Sequence, residues 1–209
     1  SSIGLGGGQG SRHLQHAGCP GLALSLSAPA FIPLHRMDFI PVKVVVALGS
    51  NLGDSASLIR WAMDRLEDRS SSPLRRSSLW TSTPVDCPPG SPTFTNAVAI
   101  LVPKDGETPE SLLAFLQSVE VEAGRRPKIV HNESRPLDLD LIAWDGETRD
   151  TPQLVLPHPR AQVRRFVLQP LAELDSGYRF PGEGASITES LQRLPPDALL
   201  RICTGAQSP

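Results

Sequence analysis

The segment LDLDLI, residues 137–142, alternates leucine with aspartate and constrains the fold more than any other part of the chain. Successive side chains of a β-strand point to opposite faces of the sheet. The leucines therefore share one face, which is typical of a buried core, and Asp138 and Asp140 share the other. This pattern predicts a strand of a sheet that is covered on its leucine face.

The acidic face of this strand has two possible explanations. A half-buried strand normally presents polar residues to water, although Asp is uncommon in strands. Alternatively, carboxylates at positions i and i+2 have Cβ atoms about 7 Å apart, from twice the rise per residue. Their oxygens can then converge on one hard cation or bridge two, which would relieve the repulsion between like charges. Magnesium is commonly held by one or two carboxylates together with substrate phosphates.

Basic residues are concentrated on both sides of the same strand. They are Arg125, Arg126 and Arg135 before it, and His158, Arg160, Arg164 and Arg165 after it. Guanidinium groups bind phosphate oxygens through paired hydrogen bonds, and magnesium bridges neighbouring phosphates. Each arginine alone is an ordinary surface charge. Their concentration around a carboxylate pair favours a site for a polyphosphate substrate.

The remaining patterns predict the order of the elements. A strand over 42–48 precedes an amphipathic helix over 55–68, in which apolar residues recur at helical spacing. Two strands follow, in PLRRSSLWTSTP and FTNAVAILVP. Thr108 caps the next helix, with Pro109 at its first position and Gly124 at its end. With the aspartate strand this order is β-α-β-β-α-β, which predicts a ferredoxin-like α+β fold with helices packed on an antiparallel sheet.

The chain after the aspartate strand is predicted to be less regular. TPQLVLPHP is expected to be extended, and a third helix is expected to begin near FVLQPLAEL. The tail, residues 178–203, is predicted to contain a short strand, a helical turn and a last strand. We expect residues 37–209 to form a single domain.

The first 36 residues differ from the rest, since they contain no Asp or Glu and are rich in Gly, Ser and Leu. LALSLSAPA is weakly similar to the core of a signal peptide, and the acid-free composition is weakly similar to an organelle transit peptide. We expect instead that Met37 is the native start and that residues 1–36 are a disordered or non-native extension.

Charge and cysteine content exclude several classes of protein. The net charge of −2 gives no signature of a nucleic-acid or membrane partner. The three cysteines, Cys19, Cys87 and Cys203, are far apart and odd in number, which argues against a disulfide framework or a zinc site. No apolar run approaches the length of a membrane span. We expect a monomeric protein of the cytoplasm.

Five motifs occur in a fixed order between about residues 44 and 174. They are ALGSNLGD, TSTPVDCPPGSPTFTNAVA, LQSVEVEAGRR, SRPLDLDLIAWDG and LPHPRAQVRRFVLQPLAEL. Together they resemble the 6-hydroxymethyl-7,8-dihydropterin pyrophosphokinase family of folate biosynthesis. The arginine followed by DLDL matches the signature region of that family.

The resemblance implies an enzymatic reaction. ATP would donate its terminal pyrophosphate to the hydroxymethyl group of 6-hydroxymethyl-7,8-dihydropterin, with two Mg²⁺ ions, and AMP would be released. Two alternatives stay open at this point. One is another magnesium-dependent phosphotransferase on the same scaffold, and the other is a non-catalytic ferredoxin-like binding module.

The resemblance also implies roles for the residues around the phosphates. Asp138 and Asp140 match the family's metal ligands. Arg125 and Arg135 match its catalytic, phosphate-binding arginines. The residues that match its ATP contacts are Gln117, Glu120, His158 and Arg164.

The pterin would be bound by a different set of side chains. Phe94 and Phe166 match the family's two stacking positions, and Asn96 matches the amide that binds the edge of the pterin. Thr83, with the backbone near it, would complete the recognition of that edge. A flat bicycle needs aromatic faces and a few directed polar groups, so these residue types suit the ligand.

Three positions depart from the family pattern. Glu133 replaces a small residue just before the signature arginine, Asn132 replaces a tryptophan found in some members, and Pro159 replaces an aromatic residue. The first two lie in the loop 125–134, which we expect to act as a lid over ATP. These changes affect the details of the loop rather than the carboxylate pair.

Overall fold

The computed structural model describes residues 41–82, 92–125, 135–195 and, for the backbone alone, 201–203. All of them belong to one of the two units of the chain, Ile40–Pro209. The predictions for residues 1–36, for Thr83 and for most of the 125–134 loop fall outside the described residues. No described helix is long and apolar enough to cross a membrane.

A sheet of six antiparallel strands forms the centre of the described structure. Its strands are β1 (Val44–Ser50), β2 (Arg75–Arg76), β3 (Leu79–Ser82), β4 (Phe94–Leu101), β5 (Asp138–Trp144) and β8 (Arg201–Cys203), while β6 (Arg149–Asp150) and β7 (Val155–Leu156) form a separate pair. The strand order is β5-β1-β4-β3-β8, with β2 also pairing with β4. This arrangement confirms the predicted antiparallel sheet.

Within the described residues, four α-helices connect or follow the strands. They are α1 (Ser55–Glu67), α2 (Pro109–Glu122), α3 (Arg165–Asp175) and α4 (Ile187–Arg193). Thr108 accepts a hydrogen bond from the Ser111 amide in a capping box at the start of α2, which confirms the predicted cap. Gly124, at the end of the same helix, has a φ of 90°, a conformation that favours glycine.

Helices cover both faces of the sheet, because the strands are apolar on both sides. Leu48, Leu139 and Leu141 belong to the core cluster that α1 and α2 cover. Val98 and Ile142 belong to a second cluster with residues of α3 and α4. Side chains alternate along a strand, so Asp138 and Asp140 share the α3 face with Ile142. The predicted leucine core is therefore confirmed, and the acidic face lies on the side of α3.

The second predicted strand is divided into β2 and β3 by a pair of serines. The Ser77 amide donates to the carbonyl of Val98 (3.0 Å), and the Val98 amide donates to Ser77 Oγ (2.9 Å). A side-chain oxygen thus takes the place of a backbone acceptor in the ladder. This change of hydrogen-bond acceptor interrupts the regular strand pairing at one residue.

Candidate active site

Charged side chains from four parts of the chain converge on one cleft at the start of β5. They come from α2, from the residues at its end, from β5 and the residues just before it, and from the segment between β7 and α3. The lining residues are Leu113, Gln117, Glu120, Arg125, Arg135, Asp138, Leu139, Asp140, His158, Arg160 and Arg164. The cleft therefore brings together all the residues predicted to bind metal, to bind ATP or to be catalytic.

The predicted metal ligand Asp138 is surrounded by charged groups. Arg135 Nη2 lies 2.9 Å from one of its carboxylate oxygens, and Arg125 Nη1 lies 3.7 Å from the other. Burial raises the pKa of Asp138 to about 6, and the nearby negative charges of Asp140 and Glu120 act in the same direction. The two arginines lower this pKa but do not cancel the effect. The acidic cluster is thus only partly neutralised by the protein itself.

The donor set fits a hard divalent cation. Asp138 and Asp140 offer carboxylate oxygens on one strand face, which is the ligand type that magnesium prefers. Among the described residues, no group of three or more His, Cys, Asp or Glu side chains could hold a metal ion alone. A magnesium ion at this pair would therefore need further oxygens from water or from a substrate.

The raised pKa of Asp138 predicts a pH dependence for the stability of the unliganded protein. The folded state binds this proton more tightly than the unfolded chain, whose Asp pKa is about 3.9. The resulting stabilisation is fully present below that value and is lost as the pH rises through about 6. Thermal unfolding between pH 4 and pH 8 should show this decline in the wild type and a smaller one in Asp138→Asn. Parallel pH profiles for the two proteins would contradict the assignment.

Glu120 connects α2 with β5 underneath the cleft. Only 3% of it is exposed, and its Oε1 accepts a hydrogen bond from the Leu139 amide at 2.8 Å. Its Oε2 forms an ion pair with Arg125. Burial is the main cause that raises the pKa of Glu120. This carboxylate therefore holds Arg125 beside Asp138, whereas its predicted contact with ATP stays a prediction.

Asn51 fixes the backbone at Arg135, a contact that sequence analysis did not identify. The side-chain Oδ1 of Asn51 accepts a hydrogen bond from the backbone amide of Arg135 at 3.0 Å. The backbone amide of Asn51 donates to the Arg135 carbonyl at 3.5 Å. Asn51 directly follows β1 and is 5% exposed. The motif GSNLGD thus anchors the arginine before the aspartate strand. An asparagine shortly after a predicted strand is the sequence signal that could have indicated this role.

The ring of His158 accepts a hydrogen bond from a nearby backbone amide. The Arg160 amide donates to His158 Nδ1 at 3.3 Å, which leaves the proton of the neutral ring on Nε2. Burial is the main cause that lowers the pKa of His158, and Arg164 and Arg160 lower it further, while Asp140 opposes them. A neutral ring in this position can donate one hydrogen bond. Arg160 also lines the cleft, although sequence analysis assigned it no separate role.

The predicted pterin residues lie on the same sheet face as the aspartates but do not line the charged cleft. Phe94, Asn96 and Val98 occupy every second position of β4, so all three side chains are on the face that α3 covers. Asn96 is buried, and its Nδ2 donates to Ser82 Oγ at 2.8 Å. Phe166, near the start of α3, packs against the core of that face. Thr83 lies outside the described residues.

Gly49 leaves space between the predicted pterin amide and the predicted metal site. It pairs with Asn96 on one side and with Asp138 on the other. A Cβ atom at this position would lie 3.6 Å from Asn96 Oδ1 and 4.0 Å from the Asp138 Cβ. Any larger side chain would project into the strip between them. Sequence analysis placed this glycine just beyond the first strand, which was predicted to end at residue 48, and assigned it no role.

Comparison with known proteins identifies a family and several relatives of this chain. The family model described as 7,8-dihydro-6-hydroxymethylpterin-pyrophosphokinase (HPPK) matches residues 45–176. The 2-amino-4-hydroxy-6-hydroxymethyldihydropteridine pyrophosphokinase of Pseudomonas aeruginosa is 37% identical, over 77% of this chain and 96% of its own length. The Bacillus subtilis protein of the same name is 35% identical, over 62% of this chain and 75% of its own length.

Solved structures show the same fold at low sequence identity. Wild-type Plasmodium falciparum HPPK-DHPS has a TM-score of 0.56 and 11% identity, over 73% of this chain and 44% of that one. A second HPPK-DHPS structure, in complex with substrates, has a TM-score of 0.56 and 9% identity, over 73% of this chain and 43% of that one. This chain thus spans less than half the length of either protein, and the likeness supports the fold alone.

The matched names confirm the resemblance predicted from the five motifs. They favour a pyrophosphokinase of folate synthesis over a binding module or a different phosphotransferase on the same scaffold. The match covers the cleft, both aspartates and the strand that carries Asn96. The chain belongs to the 7,8-dihydro-6-hydroxymethylpterin-pyrophosphokinase (HPPK) family.

Proposed function

We propose that this protein transfers pyrophosphate from ATP to the hydroxymethyl group of 6-hydroxymethyl-7,8-dihydropterin, with release of AMP. The observation that carries the proposal is the convergence of a carboxylate pair with four arginines and one histidine in a single cleft. Such a site can bind a polyphosphate and a divalent cation together. Family membership supports ATP and the pterin as the two substrates.

The basic residues of the cleft would bind and orient the triphosphate. Arg125 and Arg135 already lie beside Asp138, so they are placed next to any phosphate that shares a cation with this carboxylate. His158 would donate one hydrogen bond from Nε2, and Arg164 would contact further phosphate oxygens. Gln117 and Glu120, one helical turn apart on α2, would lie near the nucleotide.

Asp138 and Asp140 would hold magnesium, with two ions expected. Bound magnesium would neutralise phosphate charge and help to orient the reacting groups. Phosphoryl transfer depends mainly on positioning and charge stabilisation, so the protein needs little covalent chemistry of its own. The residues of the cleft supply these two functions through their fixed ion pairs and hydrogen bonds.

The pterin would lie over the sheet near Gly49. Asn96 would bind its edge, and Phe94 and Phe166 would contact its flat faces. Gly49, which has no side chain, lies between this amide and Asp138, and this arrangement suits a ligand whose hydroxymethyl group must reach ATP. Thr83, the monomeric state and the cytoplasmic location stay predictions.

The experiment that tests the proposal is the release of AMP from ATP and magnesium, measured with and without 6-hydroxymethyl-7,8-dihydropterin. We expect AMP only when the pterin and magnesium are both present, and none after magnesium is removed with EDTA. Release of ADP would indicate an ordinary kinase on this scaffold. An absence of nucleotide turnover in correctly folded protein would favour a binding module.

Arg164→Ala is expected to weaken ATP binding without abolishing catalysis. Its guanidinium is one of several cations in the cleft, so we expect a rise of about tenfold in the KM for ATP and a smaller change in kcat. Steady-state kinetics with saturating pterin would measure both constants. Arg60→Ala, which removes an exposed arginine of α1, is the matched control. Equal effects in the two variants would contradict the phosphate contact.

A further inference from the structure

Arg165 lies between two residues of the proposed site but its side chain is used elsewhere. The sequence VRRF places it directly after Arg164 and directly before Phe166. Its Nη2 donates to the carbonyl oxygens of Leu191 and Leu194, each at 3.1 Å. A third such bond, also of 3.1 Å, is made to the carbonyl of Pro195. The guanidinium therefore binds backbone oxygens and is not part of the cleft lining.

Leu191, Leu194 and Pro195 lie at or just beyond the end of α4, where backbone oxygens lack the regular partner from a following helical turn. The Leu191 carbonyl also accepts from the Leu194 amide at 3.3 Å. A cation at this end also interacts favourably with the helix dipole. The Arg165 Nε is buried and has no hydrogen-bond partner. The side chain as a whole is half-buried. It joins the first residue of α3 to the end of α4.

The start of α3 carries two residues of the proposed site on one turn of backbone. Arg164 is its N-cap residue and makes no side-chain cap hydrogen bond. The Arg164 carbonyl accepts from the amides of Val167 and Leu168, each at 3.0 Å. The Arg164 guanidinium carbon lies 5.5 Å from the centroid of the Phe166 ring. Arg164 and Phe166, the two neighbours of Arg165, therefore lie on the same turn of backbone at the start of α3.

We infer that Arg165 is a positioning residue for both substrates, because it fixes the turn that carries Arg164 and Phe166. The inference rests on the proposed function, in which Arg164 contacts the triphosphate and Phe166 contacts the pterin. A direct phosphate ligand would affect ATP alone. A residue that holds the shared turn affects the binding of ATP and of the pterin together.

The kinetic test compares Arg165→Ala with Arg165→Lys and Ser186→Ala. Ser186 caps the opposite end of α4, so its loss weakens this helix without touching Arg165. We expect Arg165→Ala to raise the KM for both substrates by about tenfold, with kcat changed less. Lysine can still donate to the carbonyls and should restore part of the affinity. Ser186→Ala should leave both constants near the wild-type values.

Two kinetic outcomes would overturn the inference. A rise in the KM for ATP alone would make Arg165 a phosphate ligand. Equal effects of Arg165→Ala and Ser186→Ala would reduce its role to the general stability of α4. The double rise in KM, absent from Ser186→Ala and partly reversed by lysine, would support positioning.

Amide hydrogen exchange of the unliganded protein tests the same idea without activity. The amides of Val167 and Leu168 should exchange about tenfold faster in Arg165→Ala than in the wild type, and should be unaffected in Ser186→Ala. Unchanged exchange in Arg165→Ala would overturn the inference. If the wild type released no AMP, the proposed function would fail, while the exchange rates would still decide whether Arg165 holds this turn.

Discussion

Asp140→Asn is expected to lower kcat by at least about two orders of magnitude, as is typical when one group that stabilises charge in a transition state is removed. The substitution keeps the size of the side chain but removes one of the two carboxylates proposed to hold magnesium. Asp138→Asn should have a similar effect on kcat. The measurement is pterin-dependent AMP release over a range of magnesium concentrations.

The matched control for both variants is Asp150→Asn, which neutralises an exposed aspartate on β6. It should retain wild-type turnover. Calorimetric titration of magnesium into each protein with a non-hydrolysable ATP analogue would show whether cation binding is lost together with turnover. Wild-type kcat in either carboxylate variant would remove the metal assignment.

Glu120→Ala is expected to lower the free energy of unfolding by about 2–4 kcal/mol, within the range for removal of one partner of a buried polar pair. The substitution leaves the Leu139 amide without its acceptor and Arg125 without its closest carboxylate. We also expect a loss of ATP affinity, because Arg125 would no longer be held beside Asp138. Urea unfolding at pH 7 measures the stability change.

Glu122→Ala, on the same helix, is the control for this prediction. Glu122 is about half exposed and pairs with Arg65 on the surface. Such exposed pairs contribute about 1 kcal/mol or less. Similar losses in the two variants would show that Glu120 has no special role, whereas a large difference would confirm that the buried carboxylate connects α2 to β5.

The predicted elements that depend on neighbours in sequence agree closely with the structure. The helix that begins at Ser55 and the one capped by Thr108 begin where predicted, because their caps use side chains within three residues of the first turn. The first strand is shifted from 42–48 to Val44–Ser50. The Lys43 amide instead donates to the Asp145 carboxylate at 3.1 Å, and the Lys43 carbonyl accepts from the Asp145 amide at 2.9 Å, across a separation of 102 residues.

The candidate site was only partly accessible to sequence reasoning. The aspartate pair and the arginines were identified from their residue types and from their match to family motifs. The contacts of Asn51 with Arg135, and of Glu120 with the Leu139 amide, were not, since these residues are 84 and 19 positions apart. Gly49 was missed for the same reason, because its importance lies in the two strands on either side of it.

The sequence by itself determined the order of the elements, the strand that carries both aspartates and the family to which the chain belongs. Each of these depends on local spacing, on side-chain alternation or on short motifs. Only the tertiary structure decided which residues come into contact. It shows that α3 covers the aspartate face, that Glu120 is buried at the base of the cleft and that Arg165 binds the end of α4. These contacts join segments far apart in the chain, and their geometry is set by how the helices pack on the two faces of the sheet.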